Sequence, residues 1–195
     1  VGYPPRWMSQ VHGTEVAQLD EMASDALMTA DAAVARRIGS VCAVMVADCL
    51  PVIFTDCSGI VVAAAHAGWR GLAKGVLEST IASMKVPPKN IIAYMGQAIG
   101  PTQFEVGDDV RDAFMTHAAD AETAFRPVLT GNSRKYVADI FALATSRMIA
   151  AGIPERQIYG GGLCTVNNPE RFFSYRREGK SGQKSGRMAA LIWMT

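Results

Sequence analysis

The first third of the chain carries its apolar residues in short, nearly uncharged runs, and later segments space them at helical intervals. Val41 to Ala47 and Val61 to Ala65 are β-branched and alanine-rich with almost no charge, the pattern of strands buried on both faces. Trp7 to Val11 and Val16 to Leu19 read as short strands about a turn at His12-Gly13-Thr14. A polar stretch from Asp20 to Asp25 precedes a further strand at Ala26 to Thr29. Asp48 to Pro51 interrupts the central strand, which resumes over Val52 to Thr55 before a turn at Asp56 to Gly59. From Gly71 the period changes: Ala73, Val76, Leu77, Thr80, Ile81 and Met84 predict one helix that Pro87-Pro88 stops.

Ile91 to Met95 predicts another buried strand, Val106 to His117 a helix with Asp108 near its start, and Asp139 caps a helix closed by Gly152 and Pro154. Thr130 to Lys135 reads as a loop and Gln157 to Tyr159 as a strand end. Gly160-Gly161-Gly162 reads as backbone passing close to something, and Met188 to Trp193 as a last strand. Strands and helices mix without a strict βαβ rhythm, which argues for α+β rather than a doubly wound sheet. With 195 residues and no repeat or linker, one domain over 1–195 is expected.

Composition excludes more than it selects. A net charge of +1 gives no general reason to bind nucleic acid or an acidic membrane, and no apolar run reaches the roughly 20 residues of a membrane helix. Four cysteines without a C-x-x-C pair, and no charged and apolar leader, suit a reducing cytoplasm. The start at Val1 suggests a trimmed chain.

The candidate chemistry lies at the ends of the apolar runs. Asp48 and Cys49 follow the first, His66 follows the second, and His12 sits beside a glycine. Imidazole and thiolate suit zinc, but these separations fit many geometries, and a lone histidine or cysteine after a strand is more often packed or hydrogen-bonded than metal-bound. Asp48 reads either as a partner orienting a ligand or accepting a proton, or as a local cap on a strand. Arg70, opening a helix at Gly71, reads as an anion ligand or a surface residue. Arg171, Arg176, Arg177, Lys180, Lys184 and Arg187, interleaved with Phe172, Phe173 and Tyr175, read as a mobile loop over a pocket; binding of single-stranded nucleic acid is the less favoured alternative. His117 is expected at the surface. Cys42, Cys57 and Cys164 are expected to be buried and structural, with Cys164 near enough to the glycine run to line a cavity.

Five motifs in order, Gln10 to Gly13 (QVHG), Ala47 to Val52 (ADCLPV), His66 to Gly71 (HAGWRG), Ile99 to Gly107 (IGP, then FEVG) and Pro169 to Arg177 (PERFFSYRR), resemble the laccase-domain family, also called multicopper polyphenol oxidase-like. The resemblance runs from about Trp7 to Trp193. It implies a layered α/β/β/α sandwich of mixed sheets and a zinc-dependent purine nucleoside phosphorylase. The implied substrates are adenosine, inosine, guanosine or methylthioadenosine with phosphate, and adenosine deamination is a possible second activity. It implies His12, Cys49 and His66 as metal ligands; on the chemistry of the residues themselves Cys49, His66 and Asp48 are expected to be catalytic and Arg70, Arg176 and Arg177 to bind substrate. The family's earlier TTR- and LNLG-type motifs do not occur in this sequence, so the domain is expected to lack its N-terminal segment and to turn over nucleosides poorly. A metal-free alternative makes Cys49 the nucleophile and His66 its base in a hydrolase that edits peptidoglycan precursors. Copper is less favoured, because three histidines are too few for several imidazole-rich centres.

Overall fold

A computed structural model describes residues 3–21, 27–116, 119–130, 133–182 and 184–195. The uncharged run Val61 to Ala65 falls in the middle of a six-stranded mixed sheet in the order Ile158–Gly160, Ile91–Met95, Leu50–Asp56, Val62–Ala67, Ala32–Ala35 and Val16–Gln18. The inner pairings are antiparallel and the two outermost are parallel. Val41–Val46 lies in a separate three-stranded sheet, parallel to Pro5–Arg6 and antiparallel to Met188–Ile192.

Alternation of side chains makes the large sheet two-faced. Ala32, Val34, Val52, Phe54, Ala63 and Ala65 pack toward the helices, while Ala33, Ala35, Val62 and Ala64 meet Cys42 and Val44 of the small sheet. The result is a layered α+β fold of helices, six-stranded sheet and three-stranded sheet. Alanine on both faces lets the layers approach closely. Phe54, Leu50, Leu72 and Leu77 are fully buried, each worth about 1.5–3 kcal/mol against exposure.

Several expectations change in ways that matter for the site. The strand containing His66 continues through Ala67, so the imidazole projects from inside a sheet. The stretch from Asp48 to Pro51 does not merely interrupt one strand: Leu50–Asp56 belongs to the other sheet, so Asp48 and Cys49 occupy the crossover. The single helix expected after Gly71 is two, α1 (Trp69–Lys74) and α2 (Val76–Ser83), parted at Gly75, whose φ of 103° no continuous helix accommodates. Helix α3 spans Asp108–Met115. Helix α4 spans Ile140–Ala150, and the Asp139 side chain accepts from the Phe141 and Ala142 N–H groups as its cap.

Ser133–Ala138 is a strand rather than the end of a loop, paired with Phe125–Thr130 and Glu105–Val106. Part of the basic segment is helical rather than loop: Tyr175–Lys180 forms α5, capped by the Ser174 side chain, while Arg171, Lys184 and Arg187 lie outside it. The glycine run behaves as expected at Gly160, where a Cβ would stand 2.2 Å from the Met95 carbonyl oxygen. Cys42 and Cys164 are buried, whereas Cys57 is exposed at the turn after Asp56. His117 and residues 22–26 lie outside the described residues. Among the described residues no helix is long and apolar enough to cross a membrane.

Candidate metal centre and its two cavities

His12, Cys49 and His66 converge although they arise from a turn, a sheet-to-sheet crossover and a strand. Their possible ligand atoms lie within 4.8 Å of one another. Cys49 Sγ stands 3.7 Å from His12 Nε2, and the two imidazole rings meet edge to face at 4.8 Å between centroids. Two donors on one tetrahedral zinc, with Zn–S of about 2.3 Å and Zn–N of about 2.0–2.1 Å, stand about 3.6 Å apart. The donor set and the Cys49–His12 separation therefore fit a metal of this kind.

Asp31, absent from the sequence-derived site, holds two of the three residues in place. Its buried carboxylate accepts N–H groups from Val11, His12 and Gly13 at 3.0, 2.9 and 2.7 Å, fixing the turn that carries His12 at a φ of 60°. The same carboxylate lies 2.8 Å from His66 Nδ1, which turns the other ring nitrogen, Nε2, toward Cys49. A signal existed in the sequence: Asp31 is a lone carboxylate within the apolar run Ala30 to Ala35.

The electrostatics follow from this packing. Burial works against ionisation of the Cys49 thiol, but hydrogen bonding and positive charge from His12 and His66 outweigh it and bring the thiol from 9.0 down to about 7. Burial likewise disfavours a charged His66, yet its bonds to Asp31 and Cys49 raise it from 6.5 to about 9. Burial would raise Asp31, but His66 and the backbone N–H groups hold it below the ordinary 3.8.

Gly68, the residue before α1, leaves room for the group. A Cβ there would come within 2.6 Å of His12 Cδ2 and 3.0 Å of Cys49 Sγ.

Two cavities open onto the group and share His12, Ala47, Cys49, Arg70 and Tyr175. One, of about 420 Å³, is walled by Trp69, Ile99, Phe104 and Val106 and includes Asp48, Glu105 and Asp109. The other, of about 560 Å³, is walled by Met8, Ser9, Gln10, Met45, His66 and Arg187.

The remaining site candidates divide clearly. Asp48, in the left-handed region at φ 80°, spends its carboxylate on the Thr165 and Ser174 hydroxyls and the Arg176 N–H, anchoring the start of α5 beside Cys49. The exposed Arg70 guanidinium lies over the Trp69 ring at 4.4 Å and borders both cavities. Arg176 donates to the Gln103 and Glu105 carbonyls and lines the smaller cavity. Arg177 lines neither cavity. Its guanidinium bonds the carbonyls of Thr165, Val166 and Phe172 and the Glu178 carboxylate, a brace for the wall. Cys164 also lines neither, and its sulfur accepts the Gly100 N–H. Tyr175 and Arg187, which carried no separate signal within the basic segment, do face the site.

A mixed α+β fold with a His–Cys–His group at a sheet crossover defines a metal-site class. The particular family follows from sequence: the profile of the multi-copper polyphenol oxidoreductase laccase family matches residues 2–195, and the chain belongs to that family. It is 48% identical over 192 residues to an Escherichia coli protein named purine nucleoside phosphorylase YfiH, covering 97% of this chain and 74% of that one. It is 46% identical over 190 residues to a Pseudomonas aeruginosa protein named purine nucleoside phosphorylase, again covering 97% and 74%. A crystal structure of a Neisseria meningitidis protein superposes with a TM-score of 0.90 at 49% identity, covering 99% of this chain and 76% of that one.

Proposed function

We propose that this protein is a zinc-dependent purine nucleoside phosphorylase whose metal is held by His12, Cys49 and His66. The observation that carries the reading is the convergence of these three residues where two cavities meet. The names of the E. coli and P. aeruginosa relatives support the reaction class. Three protein donors leave a fourth position, the catalytic pattern, and zinc when bound there supplies a Lewis acid that holds and polarises an oxygen nucleophile.

The chain's own groups do the rest. Asp31 orients His66, Asp48 fixes the wall carrying Tyr175 and Arg176, and Arg70 offers positive charge to a phosphate. Water in place of phosphate would give the second reaction, deamination of adenosine. A free thiolate donor suits the reducing cytoplasm that we propose as its location.

The test is elemental analysis of protein purified without added metal, followed by inosine, guanosine and adenosine with and without phosphate. Stoichiometric zinc and phosphate-dependent release of free base are expected. Copper content with phenol oxidation, or a zinc-loaded protein that releases no base, would overturn the reading. Gly68→Ala is expected to lower zinc affinity about tenfold or more, since its Cβ displaces ligands whose orientation sets affinity, with little change in the melting temperature of the metal-free protein. Chelator competition and thermal melts measure both.

One observation favours a second reading. Cys49, His66 and Asp31 form a nucleophile–base–orienter series with a thiol already lowered to about 7. A hydrolase of this type, acting on peptidoglycan precursors, would survive metal removal and be lost on thiol alkylation; the zinc enzyme behaves oppositely under chelation.

A further inference from the structure

The two cavities differ in charge. The larger has no carboxylate in its lining, and it holds two arginines, Arg70 and Arg187. Among the described residues neither has a carboxylate partner: Arg70 rests on the Trp69 ring, and Arg187 donates to the carbonyls of Ser185 and Gly186. Ser9 adds a polar group to the lining, while the Gln10 amide is held by the Met45 backbone, to which it donates and from which it accepts. The smaller cavity borders Arg70 as well and holds Arg176, but among its aromatic and branched apolar walls it sets three carboxylates, Asp48, Glu105 and Asp109, against those two arginines. A phosphate dianion entering there would meet more carboxylates than arginines, whereas a neutral purine nucleoside would gain stacking surface from Trp69 and Phe104.

We propose that the larger cavity is the orthophosphate site, with Arg187 as a phosphate ligand opposite Arg70, and that the nucleoside occupies the smaller cavity. The assignment deepens the phosphorylase reading and rests on it. Phosphorolysis displaces the base from the anomeric carbon. A phosphate oxygen forms the new C–O bond as the C–N bond breaks, the bonding pair leaves with the purine, and a purine nitrogen takes up the proton released by hydrogen phosphate. Displacement in line needs nucleophile and base on opposite sides of that carbon. Separate cavities meeting at Cys49 and His12 supply two approaches to one centre.

The test is calorimetry with orthophosphate and, separately, inosine on protein carrying the metal with which it is purified. Loss of one charge-assisted contact costs about tenfold in affinity or more. Arg187→Ala is therefore expected to weaken orthophosphate binding at least about tenfold while leaving inosine affinity within about twofold, and Arg187→Lys is expected to recover part of the loss. Orthophosphate that does not bind the unaltered protein, or binds Arg187→Ala equally well, overturns the proposal. A separate assay of base release tests the phosphorylase reading: binding that depends on Arg187 without any base release leaves the phosphate site standing and removes the reaction.

Discussion

Cys49→Ala is expected to abolish nucleoside turnover and empty the metal site together. Loss of a Lewis acid removes several kcal/mol of transition-state stabilisation, about a thousandfold in rate or more. The fold is expected to persist, because Cys49 lies at the end of a crossover rather than in either core. Metal analysis, base release and a melt compared with metal-free protein read the three effects. Retained metal with lost turnover would instead make Cys49 a nucleophile. Cys42→Ala is the control, since Cys42 packs between the sheets and touches none of the site. In chelator-stripped protein the Cys49 alkylation rate is expected to rise with pH through a midpoint near 7, because its neighbours stabilise the thiolate. A midpoint near 9 would show that the histidines do not act on it.

Asp31→Ala carries the second large effect, and it is structural and chemical at once. It leaves the N–H groups of Val11, His12 and Gly13, and the His66 Nδ1, facing a gap inside the protein. Breaking a buried charged partner costs about 3–5 kcal/mol. Loss of the group that orients a metal-binding histidine lowers metal affinity about 10–100-fold. Asp31→Asn keeps the shape and is expected to recover stability more than metal affinity, since its amide turns a donor toward groups that are themselves donors. The pH dependence has a definite sign. A carboxyl held below its unfolded value stabilises the fold above a pH of about 4, and that contribution is lost as pH falls through the lower folded value. Denaturant melts across this range on both variants measure it; an acid limb unchanged in Asp31→Ala would mean that another carboxylate sets acid stability.

The strands around the site were legible because burial on both faces leaves an uncharged, β-branched or alanine-rich run; Cys49 follows one such run at the crossover, and His66 lies within the last residues of another. Helix α4 was legible from Asp139 and its apolar spacing. The division of Val41–Val46 and Leu50–Asp56 between two sheets was not, because two successive apolar strands carry no local mark of which sheet each joins. Nor was the pairing of Phe125–Thr130 with Ser133–Ala138, whose alternation is broken by Arg126, Pro127 and Arg134 on exposed positions and by the half-buried Lys135. Motif resemblance brought out the three converging side chains, but not what holds them: Asp31, Thr165 and Ser174 act through contacts 18 to 126 residues apart in sequence. Arginines in one basic segment look alike in sequence, and packing separates them. Arg177 braces carbonyls, Arg176 shapes a wall, and Arg187 faces the larger cavity.

The anchoring of α5 by Asp48 has a consequence for the order in which the protein becomes competent. All three donors, with Asp31, are synthesised by residue 66, whereas much of the smaller cavity's wall and the segment carrying Tyr175 and Arg187 come from residues 99–110, 140 and 175–187. A chain emerging from the ribosome therefore possesses its soft thiolate and imidazoles about a hundred residues before Thr165, Ser174 and Arg176 can close on Asp48. During that interval the sulfur is open to oxidants and to any passing thiophilic ion, so the yield of intact Cys49 is expected to fall when the protein is made under oxidising conditions.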